Sequence, residues 1–77
     1  MNFKQFEDQF YFAYMIGHDF VDVKLKDHTH IYANKYEYQS RNFVRLSYDY
    51  KNLPYELPVA TVNLESVEEI SSPRKGD

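Results

Sequence analysis

Phe3, Phe6, Phe10, Ala13 and Tyr14 recur at three- and four-residue intervals in "MNFKQFEDQFYFAYMIG". That spacing aligns side chains along one face of an α-helix, which is predicted over residues 2–16. Asn2 is placed to cap it, and Gln5, three residues on, completes a capping box. Glu7 and Asp8 fall early, where the helix dipole favours negative charge. Gly17 is a natural C′ stop. Tyr11, Phe12 and Met15 lie off the main stripe, so the predicted helix carries more apolar surface than one packing face uses.

From residue 18 the period changes to two. In "HDFVDVKLKD" Val21, Val23 and Leu25 point one way and Asp22, Lys24 and Lys26 the other, the pattern of a half-buried strand. "DHT" (27–29) is read as a turn. "HIYANKYEYQS" is a second strand, with Ile31 and Ala33 on one face and Tyr32, Tyr36 and Tyr38 on the other. The inward parity switches near Asn34 and Lys35, which predicts a bend or bulge. "QSRN" (39–42) is a polar hairpin connection to "FVRLSYDY", in which Val44, Leu46 and Tyr48 oppose Phe43, Arg45 and Asp49. "KNLPYELP" holds Pro54 and Pro58, which lack donors and place it in a loop or at a sheet edge. "VATVNL" is a fourth strand. "ESVEEI" has Val67 and Ile70 three apart, the spacing of one helical turn or a brief last strand. "SSPRKGD" (71–77) is expected to be a disordered tail. The prediction is one α+β domain over residues 1–70. It has an N-terminal helix and then a small, strongly bent antiparallel sheet, or an SH3-like barrel, of four to five strands within 18–70.

The stretches "VDVKLKD", the bent "HIYANKYEYQS", "FVRLSYDY" and "VATVNLESVEEI" follow one another in an order similar in outline to the Sm-like family of small barrels. The resemblance covers residues 18–70. It implies a barrel, ring assembly through edge strands and RNA binding. Members of that family usually carry glycine in the bent strand, where this chain reads "ANKYE", and "YDYKN" (48–52) matches their RNA loop only loosely. Fold alone does not carry function.

Charge changes the functional picture. The chain of 77 residues has a net charge of −3, with acids outnumbering bases across residues 1–70. Sequence-independent nucleic-acid affinity comes from Lys and Arg neutralising phosphates, so the charge disfavours a nucleic-acid partner and suits a basic one. There is no cysteine, which excludes disulfides and thiolate metal sites. No apolar run approaches the roughly 20 residues that span a bilayer. No basic stretch leads into an apolar one at the N-terminus, so no signal peptide and a cytoplasmic location are expected.

Catalytic chemistry finds little to work with. His28 and His30, with His18 or Asp27, are the closest approach to a metal site, and exposed turn histidines explain them as well. Glu7/Asp8 and Glu68/Glu69 are carboxylate pairs in solvated contexts, whereas acid–base work needs a buried carboxyl with a raised pKa. No serine sits in a nucleophile motif, and Gly17 and Gly76 make no phosphate loop. No enzyme activity, cofactor or metal is expected. The eight tyrosines are the strongest signal. Tyr brings large contact area at low entropy cost and is enriched at binding surfaces. The predicted partner-binding residues are Tyr36, Tyr38, Tyr48, Asp49, Tyr50, Tyr55, Glu68 and Glu69. The chain is read as a non-catalytic protein that binds a bacterial protein and inhibits or modulates it by covering its surface. In composition it resembles the small acidic proteins with which bacteriophages disable host factors. The competing readings are an Sm-like RNA-binding ring and a structural subunit that docks through Tyr11, Phe12 and Met15. A homo-oligomer is compatible with each.

Overall fold

The helix forms where the aromatic spacing predicts, and its entrance is closed by the predicted box. In the computed structural model, which describes residues 1–17, 19–49 and 57–72, α1 spans Phe3–Gly17. The Gln5 backbone N–H donates to Asn2 Oδ1 at 2.8 Å, and the Asn2 N–H donates to Gln5 Oε1 at 3.0 Å. Two otherwise orphaned donors are thus satisfied reciprocally. The acids are not dipole partners, because none lies in the first turn. Asp8 pairs with Lys4 at 3.2 Å instead, and Glu7 accepts a bond from Tyr36. Gly17 is the last residue of the helix, and a Cβ there would lie 2.6 Å from the hydroxyl of Ser72, the residue after β6.

Six strands follow: β1 (Val21–Leu25), β2 (His30–Ala33), β3 (Lys35–Tyr38), β4 (Phe43–Tyr48), β5 (Leu57–Asn63) and β6 (Val67–Ser71). They form two antiparallel three-stranded sheets, ordered β2-β1-β6 and β3-β4-β5. The class is α+β. Among the described residues no ladder joins β5 to β6, so the two sheets do not close into a barrel. Ser71 belongs to β6, inside the span assigned to the tail; residues 73–77 lie outside the described ones.

The predicted bend at Asn34 is what makes two sheets from one strand run. β2 pairs with β1, and after Asn34 the chain turns so that β3 pairs with β4. The Asn34 side chain pins the corner: Nδ2 donates to the Asp49 carbonyl at 3.0 Å and Oδ1 accepts from the Asp49 N–H at 2.7 Å. The tight connections are equally local in origin. Arg41 and Asn42, with φ of 52° and 67°, are the two central residues of a turn in which the Phe43 N–H donates to the Ser40 carbonyl at 2.9 Å. His28, with φ 74°, closes the turn between β1 and β2, where Asp27 Oδ1 accepts from the Thr29 N–H at 3.0 Å.

Of the two alternatives for "ESVEEI", Val67–Ile70 follows the brief last strand, and a helical turn stands just before it. Leu64–Ser66 is a single 3-10 turn capped by the Asn63 side chain, and β6 follows. Val67 and Ile70 are both buried although they are three apart. The register explains this: Val23 faces Ile70, Lys24 faces Glu69 and Leu25 faces Val67, so Glu68 is an extra residue in a β-bulge. The core is one cluster to which every element contributes, with Phe6, Val21, Val23, Ala33, Val44, Leu46 and Leu64 fully buried.

Candidate protein-binding surface

Helical geometry divides α1 into an inner and an outer face. Phe6, Phe10 and Ala13 are buried against the sheets, and Phe3 covers the rim of the core. The outer face changes character along its length. Lys4, Gln5, Asp8 and Gln9 occupy its first half and are exposed; Tyr11, Phe12, Met15 and Ile16 occupy its second half and are also exposed. Tyr11 and Met15 are four residues apart, as are Phe12 and Ile16, so they form two adjacent rows. Phe12 is 72% exposed and Tyr11 66%, the two highest values among the exposed large hydrophobic side chains. Isolated exposed apolar residues need no explanation; here four lie side by side on one helix face.

The eight residues singled out from the sequence do not converge on one face. Tyr36 lies beneath α1, its ring 4.7 Å from that of Phe10, 5.3 Å from Phe6 and 6.0 Å from Phe3. The Asn34 bend brings it inward, so it does not share an outer face with Tyr32 as the uninterrupted alternation implied. Its hydroxyl donates to Glu7 Oε2 at 3.1 Å. The Tyr38 ring meets Phe3 at 4.8 Å in a tilted contact, and its hydroxyl accepts from the Asn42 N–H at 3.4 Å. Tyr48 is half-buried with its ring 5.8 Å from Phe20. Asp49 pairs with Lys35 at 3.6 Å. Tyr50 and Tyr55 lie outside the described residues. Glu68 and Glu69 are exposed on β6, in the other sheet from Tyr36 and Tyr38. The Glu68 carboxylate, 3.1 Å from Lys24 Nζ, raises the Lys24 pKa through that hydrogen bond. Three of the tyrosines are therefore committed to ring contacts that hold the fold. The most exposed large apolar side chains sit on α1, where the off-stripe residues of the sequence had signalled them, with Ile16 the member that reading omitted; Tyr32, Tyr38, Phe43 and Val59 are exposed on the strands.

Burial, and after it the Glu7 carboxylate that accepts its proton, raises the Tyr36 phenol above its ordinary pKa of 10.0. The fold therefore favours the neutral phenol. That contribution is complete below the unfolded-state pKa and is lost as pH rises through the higher folded-state value. The wild type is expected to lose stability above about pH 10 more steeply than Tyr36→Phe, since only the wild type loses this bond there. Urea midpoints at pH 7 and pH 10.5 measure the difference. Parallel losses in the two proteins would show that Tyr36 does not titrate with unfolding.

The histidines are not gathered. His28 is in the first turn, not on a strand with His30, and His30 Nδ1 lies 2.9 Å from the Asp22 carboxylate on β1. His18 is outside the described residues. Among the described residues no group of three or more His, Asp or Glu side chains is placed to hold a metal ion. No helix among them is long and apolar enough to cross a membrane. No protein-family model, curated protein or solved structure matches this chain.

Proposed function

We propose that this chain is a non-catalytic binding protein that modulates another protein by covering part of its surface, with the second half of α1 as its contact. The observation that carries the reading is the exposed group Tyr11, Phe12, Met15 and Ile16 on a helix whose opposite face is already buried. Large aromatic anchors supply most of the binding energy of protein interfaces. The helix is held at its N-terminus by the capping box and along its inner face by the core, so the anchors are presented rigidly and little entropy is lost on docking. The partner envisaged is a bacterial protein, and the mode is the occlusion expected of a phage-type host modulator. Tyr36 of β3 packs beneath the helix against Phe10 and is not itself the contact.

Removal of residues 1–16 cannot test the reading, because Phe6, Phe10 and Ala13 belong to the core. Tyr11→Ser combined with Met15→Ser does test it. Both side chains are exposed, so the unfolding midpoint should stay close to that of the wild type. Affinity capture from a nuclease-treated bacterial lysate should recover a stoichiometric protein with the wild type and lose it with the double variant. Equal recovery by the folded double variant would remove α1 as the contact.

One structural feature favours the Sm-like reading as the second choice. A single bent run, β2 and β3, feeds both sheets, and β5 and β6 each pair on one side only among the described residues. Such edges accept strands from neighbouring copies. That reading predicts a ring-sized oligomer and RNA affinity that falls steeply with salt. Sedimentation of the purified protein as a monomer would set it aside.

A further inference from the structure

A groove of about 500 Å³ runs between α1 and β6. Phe12, Ala13 and Ile16 of the helix and Ile70 of the strand supply its apolar lining, and Asp8 and Glu69 complete it. Of the two carboxylates in its lining, Asp8 pairs with Lys4 at 3.2 Å, and Glu69 faces Lys24, whose ammonium bonds Glu68 at 3.1 Å. β6 is the outermost strand of its sheet and among those residues bonds only to β1. Its outer row of N–H and C=O groups is a template for one more strand. The bulge at Glu68 interrupts the strand, which leaves residues 69–71 as the regular part of the edge.

We infer that this groove and edge together receive a short β-strand of a partner protein in which apolar and basic residues alternate. The inference rests on the protein-binding reading above and names the chemistry of the partner. Successive side chains of a strand point to opposite faces. A residue paired with Ile70 therefore points inward over the groove. Its neighbours, paired with Glu69 and Ser71, point to the outer face of the sheet, where a cation meets the Glu69 carboxylate. Opposite charges across a strand pair are favourable and like charges are not. Symmetric β6–β6 pairing about Ile70 sets Glu69 opposite Ser71, so a second copy brings no cation to Glu69.

The probe is an N-acetylated, C-amidated octapeptide alternating valine and lysine, titrated into the full chain by calorimetry and by amide chemical shifts. Saturable binding is expected, with shifts concentrated in residues 69–72 and in the second half of α1. Phe12→Ser should weaken it about tenfold, the loss of one partly buried aromatic anchor. Glu69→Lys should weaken it by a similar factor and let the variant bind an alternating valine–glutamate octapeptide instead. That exchange of preference requires a folded protein, so it separates a lost contact from lost structure. N-methylation of alternate residues should abolish binding in one phase and spare it in the other, as pairing along one edge requires. Three results would overturn the inference: no binding of the valine–lysine peptide, equal binding of the glutamate peptide by the wild type, or indifference to N-methylation in both phases. Failure of the peptide while Tyr11→Ser/Met15→Ser still loses its lysate partner would sink this inference and leave the binding function standing. Peptide binding with undiminished capture by that double variant would support the strand site and remove the outer helix face.

Discussion

Phe6→Ala is expected to leave much of the protein unfolded at 25 °C. Phe6 is fully buried, and its ring lies 6.4 Å from Phe3, 5.7 Å from Phe10 and 5.3 Å from Tyr36. Truncating a buried Phe typically costs about 3–5 kcal/mol, transfer and cavity terms together. A single core in a domain this size supplies only roughly 3–5 kcal/mol of net stability. The two figures are comparable, so one side chain decides whether the fold persists. The position offers little collapse to soften the loss. The helix above it is fixed at its start by the Asn2–Gln5 box, and Tyr36 below it is tied to Glu7. Loss of near-UV tyrosine dichroism and collapsed amide dispersion at 25 °C are the expected readouts. A variant that unfolds cooperatively with a midpoint near the wild type's would mean that α1 is not integral to the core.

The helix, the bend at Asn34 and the hairpin at residues 39–42 were all legible in the sequence, because each rests on a local rule. Aromatic spacing, a parity change and a polar connection leave marks within a few residues. The features that local pattern left open depend on contacts between distant segments. Val67 and Ile70 show helical spacing because a bulge inserts Glu68, and a bulge is defined only by the partner strand. Tyr36 looks like a surface residue in its own strand, and packs against the core, half-buried, only because α1 lies over it. The same ambiguity displaced the candidate site. Tyrosines amphipathic enough for an interface also suit a core margin. The outer residues of α1 had no inward partner in any periodic reading, which is why Tyr11, Phe12 and Met15 were legible as surplus.

The bulge yields a second large effect, a contrast between two deletions of one residue each. Deleting Glu68 is expected to be tolerated. Val67, Glu69 and Ile70 then alternate in, out, in, and they pair with Leu25, Lys24 and Val23 as they do now, with the extra residue gone. The loss is the exposed ion pair with Lys24, and exposed pairs are worth about 0–1 kcal/mol. Deleting Arg45 should abolish folding. Arg45 sits between Val44 and Leu46, both fully buried, in a strand paired on one side with β3 and on the other with β5. Without it Val44 and Leu46 become consecutive and must point to opposite faces, since a slip of one residue inverts a strand. Restoring either to the core exposes the other and shifts half of β4 against both neighbours. Exposing one such side chain forfeits about 1.5–3 kcal/mol of burial, before the mismatched ladders are counted. Thermal unfolding followed by circular dichroism distinguishes the two variants. A folded protein without Glu68 beside an unfolded one without Arg45 is the expected pair of results. The reverse would show that β6 is held in register by Glu68 itself and that β4 is not central to its sheet.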